Sequence, residues 1–314
     1  MKSLIKVFAP ASISNLGAGF DVLGVALNAP GDIVTAKRTK AKGLQFSLEL
    51  ADPSAKLPVG GNVAAYVAQL MLDEFNPPFG IDLKLHKQMP IGSGLGSSAA
   101  SSVAAVVAVN ALLPKPLRRS ELLPFVLEGE RRTSGSGHAD NASPCLLGGA
   151  CLIRSYDPID VIKLQSSMPI WWVVVHPQLV VMTKEARGIL PKNVPLRSAV
   201  RQWGNVGGLV AGLLSGDTDL IGRSMDDVIV EPVRAPLVKG FDYVKEAAFQ
   251  AGASGCTLSG SGPSMLSVAP TKRQAETIGH AMMAAFRDHA GVTSAMYVSR
   301  TNTAGAKIIS NGKR

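Results

Sequence analysis

The clearest pattern of hydrophobic and polar positions surrounds residue 90. Residues 81–89 alternate between apolar and polar side chains, with the two-residue period of a half-buried strand. Residues 90–100, PIGSGLGSSAA, are rich in glycine and serine, and residues 99–113 form a run of small, mostly apolar residues. This order predicts a strand, a glycine-rich turn and a buried helix.

Shorter patterns predict the other elements of the first half of the chain. Alternation predicts strands, helical spacing of apolar residues predicts helices, and clusters of Gly, Pro, Ser and Asn predict loops. The predicted strands are 4–8, 20–27, 33–38, 44–50 and 149–155; the predicted helices are 62–75, 97–112, 119–132 and a short one before residue 149; the predicted loops are 9–19, 28–32 and 133–141.

From residue 170 the pattern predicts a second unit. The predicted strands are 170–176, 255–258, 264–269 and 292–298, and the predicted helices are 183–189, 196–214, 236–251 and 272–289, with Thr183 as a candidate N-cap. This order approximates β-α-β-β-α-β, the split βαβ arrangement. Residues 156–168 are typical of a surface connection with an edge strand, so we expect two domains, 1–160 and 161–314.

Composition limits the class of protein. The 314 residues are 46% apolar, which is enough for a sizeable core and too much for a disordered chain. The net charge is +9, but the basic residues are scattered in short pairs and aromatic residues make up only 5%. Nucleic-acid binding needs a clustered basic face, often with stacking aromatics, so we expect no nucleic-acid partner. An anionic substrate and a solvated surface account for the positive charge.

The cysteines and the apolar runs indicate where the protein works. The three cysteines, Cys145, Cys151 and Cys256, form no CxxC motif, which predicts a reduced, cytoplasmic protein with buried thiols. The N-terminal segment, MKSLIKVFAP, has too few apolar residues for a signal peptide. The longest apolar run, 99–113, falls short of the roughly 18 residues that a membrane span needs. We therefore expect no membrane partner.

The glycine-rich turn carries a candidate phosphate site. Glycines let the backbone approach a ligand closely, and the free N–H groups at a helix start favour a bound anion. Ser97 and Ser98 stand where hydroxyls cap a helix or bind Mg²⁺. The segment is neither the common P-loop, since no Gly-Lys-Ser/Thr follows, nor the dinucleotide fingerprint. The alternative is a tight turn before a buried helix.

The whole string PIGSGLGSSAA resembles the Pro-x-x-x-Gly-Leu-Gly-Ser-Ser-Ala loop of the GHMP kinases. The resemblance implies an α+β fold with an N-terminal domain like those of ribosomal proteins, a C-terminal ferredoxin-like domain, and nucleotide and substrate bound between them. It also implies that the loop wraps the phosphates of ATP. The implied nucleotide contacts are Pro90, Ile91, Gly92, Ser93, Gly94, Leu95, Gly96, Ser97, Ser98, Ala99 and Ala100, with Asn62 and Lys87 beside them.

Three further stretches, 7–27, 130–149 and 181–187 with 231–236, are similar to the homoserine kinases of that superfamily. This similarity implies phosphorylation of the side-chain hydroxyl of L-homoserine by ATP with Mg²⁺, on the route to threonine, and we expect a homodimer. Two alternatives remain: a GHMP kinase for another small molecule such as mevalonate or shikimate, and a non-catalytic metabolite sensor of the same fold. The second is disfavoured because Ser98 and Glu130 are both present.

The first stretch offers an amide and a carboxylate around a glycine turn. Asp21 could bind a substrate ammonium, and Asn15 could hydrogen-bond its carboxylate or hydroxyl. The alternative is that both side chains satisfy their own turn. The resemblance favours substrate binding by both residues.

The second stretch implies a metal site and the acceptor pocket. Glu130 is assigned to Mg²⁺ together with Ser98, and Glu128 is the alternative ligand. His138, Asp140 and Asn141 are expected to line the pocket. In mevalonate kinase and galactokinase an aspartate near this place is a proposed base, but here the matching position is nearer Asn141. We therefore expect Asn141 to orient the hydroxyl, and it stays open whether Asp140 is a base or positions substrate.

The third stretch places Thr183, Arg187 and Arg234 against the substrate. A guanidinium grips a carboxylate with two hydrogen bonds, so two arginines would explain a preference for an α-amino acid. Arg187 is expected among the catalytic residues, with Asp140 and Asn141. The alternative is two surface arginines. Residues 258–265, LSGSGPSM, resemble the third GHMP motif and are expected to support the phosphate loop.

Overall fold

Two β-sheets organise the residues that the computed structural model describes, 3–51, 61–166 and 168–312. The strands are β1 (Leu4–Asn15), β2 (Gly19–Thr39), β3 (Leu44–Leu50), β4 (Gly80–Lys87), β5 (Ala150–Tyr156), β6 (Ile159–Leu164), β7 (Trp171–Pro177), β8 (Cys256–Leu258), β9 (Met265–Ala269), β10 (Ser294–Arg300) and β11 (Lys307–Gly312).

Helices cover one face of each sheet or connect the strands. They are α1 (Val63–Phe75), α2 (Ser97–Leu112), α3 (Leu123–Ser134), α4 (Ala139–Leu147), α5 (Thr183–Gly188), α6 (Leu196–Ser215), α7 (Thr218–Ser224), α8 (Glu231–Arg234), α9 (Phe241–Gln250) and α10 (Lys272–Ala285). Short 3₁₀ turns occupy Arg119–Leu122 and Ala235–Leu237, and a π-helical turn, Phe286–Ala290, extends α10.

The first sheet has seven strands in the order β11-β1-β2-β4-β3, with β5 paired to β2 and β6 to β5. Only the β3–β4 pair is parallel among the pairs described. Helix α2 packs across this sheet and is buried on almost every side. Its small apolar residues explain this, because a helix that is apolar all round finds no face to expose to water. The predicted buried helix is confirmed.

The second sheet has the order β10-β7-β9-β8, and all of its pairs are antiparallel. Together with α9 and α10 it gives the predicted β-α-β-β-α-β order, so the ferredoxin-like arrangement is confirmed. The last strand, β11, returns to the first sheet and pairs with β1. Strand β6 runs across residue 160 and also belongs to the first sheet. The division into 1–160 and 161–314 stays a prediction.

Several predicted boundaries in the first half are wrong. Strand β1 continues through residues 9–15, which the sequence predicted as loop, and β2 continues through the predicted turn at 28–32. Every residue from Ala9 to Asn15 is buried, because β1 lies between its sheet neighbours and the helices α2 and α4. A strand buried on both faces shows no alternation, so its Ser, Asn and Ala residues imitate a loop.

Other differences concern helix ends. The predicted loop 133–141 is shorter, because α3 extends to Ser134 and α4 begins at Ala139. The N-cap of α5 is Met182 rather than Thr183. Helix α7 and strand β11 were not predicted. Among the described residues, no helix is long and apolar enough to cross a membrane.

Candidate active site

The glycine-rich loop between β4 and α2 is held in an unusual backbone conformation. Gly92, Gly94 and Gly96 have φ values of +65°, +76° and +65°, a region that residues with a side chain rarely adopt. A Cβ on Gly96 would lie 2.1 Å from Ser12 Oγ. The loop therefore needs glycine for its dihedrals, and at Gly96 also for its packing.

The loop leads directly into α2, and the backbone N–H groups of the first turn of α2 are free to bind a ligand. The N-cap is Gly96, and no side chain of the described residues caps the first turn. The hydroxyl of Ser97 is buried and has no hydrogen-bond partner among the described residues. Unsatisfied N–H groups and the helix dipole make this position favourable for an anion.

A buried ion pair lies beneath the loop. Asp32, fully buried at the predicted turn within β2, accepts hydrogen bonds from the backbone N–H groups of Gln88 (2.9 Å) and Met89 (3.1 Å), which lead into the loop. Its other oxygen binds Lys87, whose ammonium also donates to Ser97 O at 2.8 Å. Burial lowers the pKa of Lys87, and the charge of Asp32 opposes that shift. The structure thus places Lys87 under α2, with its ammonium directed inward, and gives Asp32 a role that the sequence did not indicate.

The second domain contacts the loop through residues 258–265, as the sequence indicated. Ser259 Oγ donates to Gly94 O at 2.6 Å, and Ser264 Oγ donates to Ser93 O at 2.5 Å. A Cβ on Gly94 would lie 2.3 Å from Ser259 O, so the two loops pack backbone against backbone.

A cluster of opposite charges lies beside the loop. Arg187 Nη2 donates to Asp21 Oδ1 at 2.8 Å and to Asp21 Oδ2 at 3.0 Å. His138 Nδ1 lies 3.5 Å from Asp21 Oδ1. Burial lowers the pKa of His138, and the charge of Asp21 opposes this. Arg187 Nε is buried and has no hydrogen-bond partner among the described residues. One donor of the guanidinium is therefore available to a ligand.

Arg234 reaches the same cluster from α8. It is 2% exposed, and its Nε and Nη1 donate to Ala186 O (3.1 Å) and Gly260 O (3.2 Å). Burial lowers the pKa of Arg234 to about 10, and the positive charge of Arg187 adds to this lowering. Because that pKa is still well above neutral pH, the guanidinium group remains charged. The guanidinium groups of Arg187 and Arg234 lie 5.2 and 5.1 Å from the ring centre of Phe20. The alternative of two surface arginines is wrong for the buried Arg234.

Asn15 and Thr183 lie at the edge of this cluster. Asn15 Oδ1 accepts the Asp21 N–H at 3.1 Å, and its Nδ2 donates to Gly260 O at 2.9 Å. The amide of Asn15 therefore shapes the turn and ties it to the second domain. Thr183 Oγ1 lies 3.3 Å from Ser261 Oγ.

Asp140 and Asn141 occupy the first turn of α4. Ser12 Oγ donates to Asn141 Oδ1, and Asn141 Nδ2 donates to Ser14 Oγ, both at 2.8 Å. These serines alternate along β1 and fix the orientation of the amide beside Gly96. Burial raises the pKa of Asp140 to about 7, and the negative charge of Asp21 adds to the rise.

Glu130 lies near the start of α2, on α3. It is 8% exposed, and burial raises its pKa to about 7, against a lowering by the hydrogen bond from Ser98. A carboxylate beside a hydroxyl supplies the hard oxygen ligands that Mg²⁺ prefers. Glu128, in contrast, is only half-buried and pairs with Arg131 at 2.8 Å. The geometry favours Glu130 over Glu128. The side chain of Asn62 caps α1 by accepting the Ala64 N–H at 2.9 Å.

Comparisons with known proteins agree with this geometry. Residues 62–149 match the family described as GHMP kinases N terminal domain, and residues 209–288 match GHMP kinases C terminal. Homoserine kinase from Chlorobaculum tepidum is 44% identical, over 96% of this chain and 97% of the relative. The crystal structure of homoserine kinase from Cytophaga hutchinsonii is 49% identical, covers 98% of both chains and superposes with a TM-score of 0.92.

The chain belongs to the homoserine kinases of the GHMP kinase superfamily. The fold is shared more widely. The crystal structure of L. major mevalonate kinase in complex with R-mevalonate is 16% identical, covers 94% of this chain and 96% of that chain, and has a TM-score of 0.74. At that identity the likeness concerns the fold alone.

Within this homoserine kinase fold, most of the predicted site residues belong to the glycine-rich loop, contact it or belong to the charge cluster beside it. Lys87 supports the loop from beneath α2 by donating to Ser97 O, and Asn62 caps the start of α1. Sequence reasoning missed residues that hold the others in place. If residues 9–15 had been interpreted as a strand, Ser12 and Ser14 would have been placed on one face of β1. Phe20 could also have been identified, because it precedes Asp21 directly. The other missed residues make contacts that are distant in the sequence, so no local pattern indicates them. The missed residues are Ser12, Ser14, Phe20, Asp32 and Tyr156, whose hydroxyl contacts the backbone of Asp21 and Ala139.

The raised pKa of Asp140 predicts a pH effect on stability. A carboxyl group whose pKa is raised by folding contributes stability that is complete below its unfolded pKa and is lost as the pH rises through its folded pKa. For Asp140 this window runs from its ordinary 3.8 to about 7. We expect Asp140→Asn to gain stability relative to the wild type by about 1.4 kcal/mol per pH unit across the window. Urea unfolding of the ligand-free proteins at several pH values measures this, and a difference that does not change with pH would contradict it.

Proposed function

We propose that this chain is an ATP-dependent homoserine kinase, which transfers the γ-phosphoryl group of ATP to the side-chain hydroxyl of L-homoserine and forms O-phospho-L-homoserine. The observation that carries the proposal is the charge cluster beside the phosphate loop. It combines a carboxylate, Asp21, with two guanidinium groups, Arg187 and Arg234. Arg234 donates to the carbonyl of Gly260, and Gly260 packs against Gly94 of the glycine-rich loop. This is the complement of a zwitterionic acceptor next to a nucleotide phosphate.

The nucleotide side is built by residues 90–100. The backbone amides at the start of α2 would bind the phosphates, because they lack a side-chain cap and lie at the positive end of the helix dipole. Ser98 and Glu130 would hold Mg²⁺. The ion supplies charge neutralisation for the phosphates when it is bound. A buried carboxylate with a raised pKa fits this role, since a cation there would replace the proton.

The acceptor side is built by the charge cluster. In the ligand-free protein Arg187 pairs with Asp21. A zwitterionic substrate would replace this ion pair with two ion pairs of its own, one to an arginine and one to Asp21. The α-carboxylate would bind Arg234 and Arg187, whose Nε has no hydrogen-bond partner in the part of the chain that the structure describes. The α-ammonium would bind Asp21. Bidentate guanidinium contacts orient a carboxylate as well as attract it.

The reacting hydroxyl would lie near α4. Its oxygen forms a bond to the γ-phosphorus while the bond from that phosphorus to the bridging oxygen breaks, and ADP leaves. We propose that Asn141 orients the hydroxyl, since Ser12 and Ser14 fix its amide, and that the proton passes to the transferred phosphoryl group. Asp140, with a pKa of about 7, lies next to it and would position the substrate.

The arginines give the test of this function. A charge-assisted hydrogen bond contributes about 1.5–3 kcal/mol, so we expect Arg187→Ala to lower kcat/KM for L-homoserine by roughly 10- to 150-fold. The KM for ATP should not change, because the cluster lies on the acceptor side. Steady-state kinetics with L-homoserine and with 4-hydroxybutyrate, which lacks the amino group, separate the two charges: Asp21→Asn should penalise only L-homoserine.

The matched control is Arg201→Ala. Arg201 also pairs with an aspartate, Asp226, at 2.5 Å, but both side chains are exposed and lie on the surface. We expect this variant to keep wild-type kcat/KM. Equal kinetics for wild type, Arg187→Ala and Asp21→Asn would remove the acceptor assignment.

The expectations of a homodimer, of a cytoplasmic location and of no nucleic-acid or membrane partner stay predictions. Light scattering on the purified protein measures the first directly. A mass equal to one chain, at the concentrations used for kinetics, would contradict it.

A further inference from the structure

Tyr156, the last residue of β5, connects the two segments that carry the acceptor-side polar groups. Its hydroxyl donates to the backbone O of Asp21 at 2.7 Å and accepts the backbone N–H of Ala139 at 3.2 Å. One segment is the start of β2 and the other is the start of α4. The function proposed above does not use this residue.

Both partners of the hydroxyl are backbone groups next to proposed site residues. Asp21 has φ +61°, a region that residues other than glycine rarely adopt, so its carboxylate points at Arg187 only while the turn is held. Ala139 is the first residue of α4, with His138 before it and Asp140 after it. A single oxygen therefore sets the distance between the group proposed for the ammonium and the helix proposed for the hydroxyl.

We infer that Tyr156 is a positioning residue, which holds the ammonium-binding carboxylate of Asp21 in register with the start of α4. The inference rests on the proposed function, because it gives that function a further residue. It acts through the two backbone groups and does not require contact between the ring and substrate.

The environment of Tyr156 favours this role over a contribution to the core. The residue is 42% exposed, so little of its apolar area stabilises the fold, whereas its hydroxyl points inward to both backbone groups. Burial of the hydroxyl raises the pKa of Tyr156, and the charge of Asp140 adds to the rise, so the phenol keeps the proton that it donates to Asp21 O.

Tyr156→Phe tests the inference, because it removes the hydroxyl and keeps the ring. Two hydrogen bonds are lost, and we expect kcat/KM for L-homoserine to fall by about tenfold, through both a higher KM and a lower kcat. The KM for ATP should stay at the wild-type value. Amide hydrogen exchange at Ala139 should become faster, since this N–H loses its partner.

Tyr243→Phe is the matched control. Tyr243 is 59% exposed on α9, where it stacks on His289 at 4.0 Å, and the same atom is removed there. We expect wild-type kinetics and wild-type exchange at Ala139 for this variant.

Two results would overturn the inference. One is wild-type constants for L-homoserine in Tyr156→Phe, and the other is an equal loss toward ATP and L-homoserine, which a general loosening of the fold would produce. If the wild type does not phosphorylate L-homoserine, the proposed function fails by itself. In that case unchanged exchange at Ala139 would also refute the connection between Tyr156 and α4, and faster exchange would support it.

Discussion

Asp32→Asn is expected to lower the free energy of unfolding by about 3–5 kcal/mol, the range for breaking a buried ion pair from one side. Asp32 is fully buried and Lys87 is 7% exposed, so the substitution leaves an uncompensated ammonium inside the protein. The side chain of Asp32 also holds the two amides that lead into the phosphate loop. Equilibrium urea unfolding at neutral pH measures the loss.

Two further variants make this result specific. Glu49→Gln breaks the exposed pair of Glu49 with Lys84, 2.6 Å apart, and should cost no more than about 1 kcal/mol. Adding Lys87→Met to Asp32→Asn removes the uncompensated charge and should recover part of the loss. If Asp32→Asn costs no more than Glu49→Gln, the buried pair does not support the loop as described.

Glu130→Gln is expected to reduce kcat by about 10²–10³-fold, the cost of removing one group that stabilises developing charge in the transition state. The amide keeps the shape of the side chain and its hydrogen bond with Ser98, but it loses the charge that would hold Mg²⁺. The fold should survive, because burial already keeps the carboxyl group partly protonated at neutral pH. Single-turnover kinetics at saturating Mg²⁺ measure the effect, and a thermal melt checks the fold.

The comparison of Glu130→Gln with Glu128→Gln decides between the two candidate ligands. Glu128 lies two residues before Glu130 in α3, so its side chain points to the opposite side of the helix, where it pairs with Arg131. We expect Glu128→Gln to behave like the wild type. A loss of kcat in Glu128→Gln with near-normal kcat in Glu130→Gln would reverse the metal assignment.

The fold was predictable where local pattern and burial agree. Helix α2 was predicted from its uninterrupted run of small, mostly apolar residues after a glycine-rich turn. The β-α-β-β-α-β half was predicted from the spacing of apolar residues within each of its elements. Strand β1 was not predicted beyond residue 8, since helices cover its other face and hide the alternation. Strand β11 was missed because it is stabilised by pairing with the edge of β1, a segment at the opposite end of the chain.

The site was predictable where a motif names its residues. The residues of the glycine-rich loop and of the charge cluster beside it were proposed for the site from stretches of sequence, whereas the residues that hold them in place were not. Asp32 contacts Lys87, Ser12 contacts Asn141, and Tyr156 contacts the backbone of Asp21 across 55, 129 and 135 residues. Such contacts exist only after the sheets assemble, and a lone Asp, Ser or Tyr in a strand carries no signal of them.

The central claim is that the charge cluster selects a zwitterionic alcohol as phosphoryl acceptor. Its most direct test is the rate of ADP formation by the purified protein with ATP, Mg²⁺ and either L-homoserine or R-mevalonate, with the phosphorylated product identified by mass. The account predicts a kcat/KM for L-homoserine far above that for R-mevalonate, with O-phospho-L-homoserine as the product. A preference for R-mevalonate, or ADP formation that L-homoserine does not increase, would contradict it.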